Sequence, residues 1–127
     1  MKRSVMLTIM SLLSILFGTL HLADDVNRGM SPGGLTNFTA VVFCVVWLYA
    51  ALVLAERRSG YIIILIASLV LFGVPIIHMR GAGIGFGTHR SGGFFFVWTL
   101  LAMGVTSLFS IILSVRSLWN QEWGRSR

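Results

Sequence analysis

The sequence predicts an all-α integral membrane protein: one antiparallel up-down four-helix transmembrane bundle, residues 1–127, with both termini cytoplasmic. Three observations carry this. Of 127 residues, 56% are hydrophobic and only 11% charged, and the mean hydropathy is +0.87. Soluble domains carry about 25% charged residues, so this chain lacks the charge to cover a water-facing surface. Four apolar runs approach the roughly 20 residues that a helix needs to cross a bilayer. The links between the runs alternate in their content of arginine.

The first run spans Ser4 to Ala23, the second Phe38 to Ala55, the third Tyr61 to Met79 and the fourth Phe94 to Leu118. The link ERRSG between the second and third is so short that these spans must be antiparallel neighbours. Lys2, Arg3, Arg57, Arg58, Arg116, Arg125 and Arg127 fall on one side of the membrane; Arg28, Arg80 and Arg90 fall on the other. Basic residues favour the cytoplasmic side, which places both termini there and makes the cytoplasmic membrane the expected location. The outer loops, roughly 24–37 and 80–93, are rich in Gly and Ser. Most of Trp47, Tyr49, Tyr61, Trp98, Trp119 and Trp123 stand near span ends, where amphipathic rings anchor at headgroups.

The first span also has the outline of a cleaved signal peptide, with a basic start and Ala23 before acidic residues. Its apolar region is longer than the usual core of such peptides. His21 stands where a small residue is wanted, so the span is expected to be retained.

Lipid does not drive helices together, so membrane helices pack through small residues and interhelical hydrogen bonds. Ser11, Ser14, Gly18, His21 and Asp25 recur at steps of three and four and share one face of span one. Gly104, Ser107, Ser110, Ser114 and Ser117 form a matching stripe in span four. Both stripes are expected to be packing surfaces, within the bundle or against a second copy. Gly73 and Pro75 predict a kink in span three, because proline leaves one backbone carbonyl without its donor.

The polar residues are unevenly placed. His21, Asp24 and Asp25 close span one, His78 closes span three, and His89 lies in the second outer loop. His21 is paired at helical spacing with both aspartates. Imidazole and carboxylate together suit zinc, copper, iron or nickel, and they also carry protons. His21, Asp24, Asp25 and His78 are therefore the candidate metal or proton site, and His21 with His78 are candidate haem ligands. The plainer expectation is an interhelical polar staple in which Arg28, Arg80 or Arg90 pairs with the aspartates.

Several function classes are excluded. The net charge of +6 is scattered among span ends, with no basic face for nucleic acid. The glycine-rich loop GAGIGFG has no strand before it and no Lys-Ser or Lys-Thr after it, so it is not a nucleotide site. The single cysteine, Cys44, rules out an intramolecular disulfide and paired-thiol redox chemistry. The chain is similar in size to small four-span multidrug transporters, but those rely on a glutamate within the first span, and this first span has none. The expected function is a non-enzymatic accessory or structural membrane subunit, in a homo-oligomer or a larger membrane complex. A proton- or cation-coupled transporter and a metal or haem redox protein are the alternatives. A topology reporter fused after Arg127 should behave as cytoplasmic; an external signal would overturn the arginine-based orientation.

Overall fold

The structure, a computed structural model, describes residues 3–31, 33–80 and 93–125. Among these residues it is entirely helical. Helix α1 spans Arg3–Asn27, α2 Gly34–Leu52, α3 Arg58–Arg80 and α4 Gly93–Arg125. All four are long and apolar enough to cross a membrane. With 33 residues, α4 is about 50 Å long and exceeds the roughly 30 Å hydrocarbon core.

The helix ends differ from the sequence expectation for local reasons. Helix α1 runs a turn past Ala23, so Asp24 and Asp25 are helical rather than in the loop. It stops at a glycine C-cap. Gly29 takes φ 67° and donates its N–H to the Val26 carbonyl at 3.1 Å, while Met30 N–H donates to the Asp25 carbonyl at 2.9 Å. This pairing satisfies two terminal carbonyls and favours glycine at the left-handed position. Helix α2 starts at Gly34 and ends at Leu52, ahead of the expected 38–55. The turn that follows places Glu56 at φ 69°.

That turn is held from both sides. Ser4 Oγ donates to Glu56 Oε1 at 2.9 Å, and Gln121 Nε2 donates to the Glu56 carbonyl at 3.0 Å. The start of α1, the α2–α3 turn and the end of α4 therefore meet at one end of the bundle. Gly60 is needed there, since a Cβ would lie 2.2 Å from the Leu54 carbonyl oxygen.

Helix α4 is the central element and packs extensively on both α1 and α3. Its buried face carries Phe96, Thr99, Leu100, Met103, Ser107, Ser110 and Ser114. Ser11 and Ser14 of α1 and Ser68 of α3 are also fully buried. Both expected stripes thus lie inside the bundle, with Gly18 and Gly104 at close helix approaches. A Cβ at Gly18 would come 3.2 Å from Leu71 Cδ1, and one at Gly104 would come 3.4 Å from Pro75 Cγ. Pro75 sits inside α3, which runs unbroken from Arg58 to Arg80.

Helix α2 packs on α1 and α3, and its backbone makes no close approach to α4. Its buried residues, Trp47, Ala50 and Ala51, all lie in its second half. Towards its start it stands away from the bundle, with Leu35 and Phe38 exposed. The outward faces of all four helices are apolar, as lipid contact requires.

Gly60→Ala should lower stability in detergent by more than about 2 kcal/mol, because the turn must distort to admit the methyl group. Gly73→Ala, which meets nothing within 4 Å, should be neutral or slightly stabilising. Thermal unfolding of the two variants side by side checks the packing of the turn.

Candidate functional site

The end of the bundle opposite Glu56 gathers the polar residues. His21 lies one turn before Asp25 on α1, and His78 comes from the last turns of α3. His21 is 3% exposed. The two imidazole centroids are 5.2 Å apart, edge to face. Phe96 of α4 packs beside both rings, with centroids 5.0 Å from His21 and 5.8 Å from His78.

The hydrogen bonds fix which ring nitrogen carries the proton. His78 Nδ1 lies 2.9 Å from the Val74 carbonyl oxygen. A carbonyl only accepts, so Nδ1–H is the donor. His21 Nδ1 lies 3.0 Å from Thr99 Oγ1. The Thr99 hydroxyl donates its proton to the Phe96 carbonyl at 3.0 Å, so the oxygen accepts from His21 Nδ1–H. When either ring is neutral, its Nε2 is therefore a bare lone pair.

Both lone pairs face the same carboxylate. His21 Nε2 is 3.7 Å and His78 Nε2 is 3.6 Å from Asp25 Oδ2. One ligand atom from each of these three residues lies within 4.8 Å of the other two. His21 Nε2 and Asp25 Oδ1 are buried without a hydrogen-bond partner. Acceptors facing acceptors in an apolar setting repel, and buried unpaired polar groups cost about 1–3 kcal/mol each. A positive charge between them, a metal ion or a proton, turns the repulsion into attraction.

The geometry suits a metal. At bond lengths of 2.0–2.2 Å, three donors around a tetrahedral ion stand about 3.3 Å apart, so two of the pairs need to close by only a few tenths of an ångström. Metal-bound histidines usually donate the other ring N–H to a carbonyl, carboxylate or water, which fixes the tautomer. Here the Val74 carbonyl does this for His78 and the Thr99 hydroxyl for His21. A haem does not fit. Its plane would have to pass between the two rings, which are in edge-to-face contact with centroids 5.2 Å apart and leave no room for it.

The aspartates have separate partners. Asp24 Oδ2 accepts from Nε of Arg28, just past the end of α1, at 2.7 Å. The Arg28 guanidinium also lies 5.6 Å from the Phe96 centroid, a cation–π distance. The pair lies along one helix and its own cap, and it is one of the arginine–aspartate pairings expected from the sequence. Asp25 faces the histidines. Both aspartates are in the last turn of α1, where the helix dipole disfavours negative charge and a positive partner is needed. His89, Arg90 and the loop GAGIGFG lie outside the described residues.

The packing stripes sit inward of this site. Ser14 Oγ donates to the Met10 carbonyl at 2.8 Å. The hydroxyl oxygens of Ser11, Ser68, Ser107, Ser110 and Ser114 have no partner within hydrogen-bond distance. They allow close helix approach, the usual use of such stripes.

Thr99 and Phe96 were not apparent as site residues from the sequence. A usable signal existed, since Thr99, Met103 and Ser107 continue the span-four stripe outward at helical spacing. Ser68 had none, being a lone serine in an apolar run.

A cavity of about 600 Å³ runs from this site into the bundle. Its walls include Gly18, His21 and Asp25 from α1, Phe43 and Trp47 from α2, and Leu71 from α3. No protein-family model, curated protein or solved structure matches this chain.

Thr99→Val should cost about 1–3 kcal/mol of stability by orphaning the His21 Nδ1–H. It should also release the ring from a single tautomer. Nitrogen-15 NMR of labelled histidine checks both rings: Nδ1–H for His21 and His78 in the unmodified protein, and mixed tautomers at His21 alone in the variant.

Proposed function

We propose that this chain is a multi-pass metal-binding membrane protein that holds one divalent transition-metal ion through His21, Asp25 and His78. The observation that carries the reading is the convergence of two imidazole lone pairs on one carboxylate, with each Nδ1–H already committed elsewhere. Two histidines, one carboxylate and an open position suit zinc or iron(II). The role is non-enzymatic: the bundle holds or passes on the ion as an accessory subunit, alone, as a homo-oligomer or within a larger complex.

The same reading orients the bundle. The helices run up and down in turn. The contacts of Ser4 and Gln121 with Glu56 at one end, and of His21 with His78 and Thr99 at the other, support this order. The arginine bias supports termini in the cytoplasm, with the metal near the outer face of the cytoplasmic membrane.

Protein purified in mild detergent and titrated with Co²⁺ should bind one ion per chain, with the visible absorption of a low-coordinate site. His21→Ala, His78→Ala and Asp25→Asn should each weaken binding by more than tenfold, and Thr99→Val by about 10–100-fold through the lost orientation of His21. Asp24→Asn should leave binding close to unchanged. No stoichiometric ion, or equal effects at Asp24 and Asp25, would reject the assignment. A proton held by His78 in metal-free protein at neutral pH, seen as a protonated Nε2 by NMR, would then identify the charge as a proton.

A further inference from the structure

The metal-binding reading leaves the cavity beside the site without a use. Its position is informative. Along α1 it runs from Ser14 to Asp25, and along α2 from Leu35 to Trp47. At 1.5 Å per helical residue the walls are about 16 and 18 Å long, a little over half of the 30 Å hydrocarbon core. The cavity therefore has the depth of one lipid leaflet.

Its polarity is arranged along that length. The deep part is walled by Phe43, Trp47, Val70 and Leu71. His21 and Asp25 line the other end, and their unpartnered Nε2 and Oδ1 lie buried behind that wall. The wall from the first half of α2 includes Leu35, 80% exposed, and the exposed Thr36. The cavity thus opens towards lipid where α2 leaves the bundle. A volume of about 600 Å³ lies within the roughly 300–1,000 Å³ of pockets that enclose one small ligand.

We infer that this cavity binds a single-chain fatty carboxylate, with its tail along α2 down to Trp47 and its headgroup in the open position of the metal. The inference rests on the metal reading. A divalent ion held by Asp25 and two neutral imidazoles keeps a net charge of one positive unit. One monoanionic carboxylate neutralises it. Arg28 is engaged with Asp24 and Phe96, and the metal is the charge at the polar end of the cavity. The apolar wall then takes the chain, in a cavity that apolar residues would otherwise leave dry.

The test uses the full chain in phosphatidylcholine nanodiscs with Trp47 as sole tryptophan, after Trp98→Phe, Trp119→Phe and Trp123→Phe. The probe is a long-chain fatty acid brominated near its tail, or near its carboxyl, with and without Zn²⁺. Zn²⁺ binding is measured separately by calorimetry. The expected result is loss of most Trp47 emission with the tail-brominated acid, little loss with the carboxyl-brominated acid, and dependence on Zn²⁺. Ala40→Phe, which fills the α2 wall, should abolish the quenching while Zn²⁺ still binds.

Bound Zn²⁺ without quenching by the tail-brominated acid would overturn this inference and leave the metal site standing. Quenching that is equal without Zn²⁺, or equal with a brominated monoacylglycerol, would overturn the headgroup assignment. Preference for a brominated lysophosphatidate or a brominated alkylamine would replace the carboxylate with that headgroup. No Zn²⁺ binding at all would remove the metal reading, and the proposed ligand with it.

Discussion

The structure turns on Asp25 facing the Nε2 atoms of two imidazoles whose Nδ1 atoms are already bonded. Three helices are tied together by that arrangement. Helix α1 brings His21 and Asp25, α3 brings His78, and α4 brings Thr99 and Phe96, which hold and flank the rings. Without a positive charge among the three donors, this end of the bundle collects buried acceptors that face one another. The rest of the bundle supplies the rigidity that keeps them there.

That rigidity has a simple origin. A membrane gives helices no hydrophobic reason to associate, so close approach must come from small side chains. The serines of α1 and α4 let these helices meet closely, and Gly18 and Gly104 admit Leu71 and Pro75 of α3. The opposite end is closed by the Glu56 turn, where Gly60 leaves room for the Leu54 carbonyl and Ser4 and Gln121 bind the turn to α1 and α4. Helix α2 is the exception. Its backbone makes no close approach to α4, its buried residues lie in its second half, and it leaves beside the histidines a space one leaflet deep. The tight three-helix contact and the loose fourth helix together place a polar site at the head of an apolar cavity.

The end of α1 shows how local and long-range constraints meet. The glycine cap at Gly29 extends the helix beyond the apolar run and keeps Asp24 and Asp25 in helical register with His21 and Arg28. Register then separates their roles. Asp24 reaches Arg28 one turn on, while Asp25 falls on the face that meets His78 of α3. Neighbouring aspartates thus end in different environments because successive helical positions lie about 100° apart.

Much of this was legible in the sequence. Composition and run length determined four membrane-length helices, because a bilayer sets both the length and the apolarity of what crosses it. Helical spacing determined that Ser11, Ser14, His21 and Asp25 share a face, and that Ser107, Ser110 and Ser114 share another. Periodicity cannot say which faces meet. The pairing of His21 with His78, the assignment of Asp24 to Arg28, and the part played by Thr99 depend on how α3 and α4 are rotated about their axes. That rotation is set by side-chain packing between helices far apart in the chain. The cavity along α2 is likewise invisible in a run as uniformly apolar as its neighbours. Only the tertiary structure decides where a helix departs from its bundle, since departure reflects the contacts that α2 lacks.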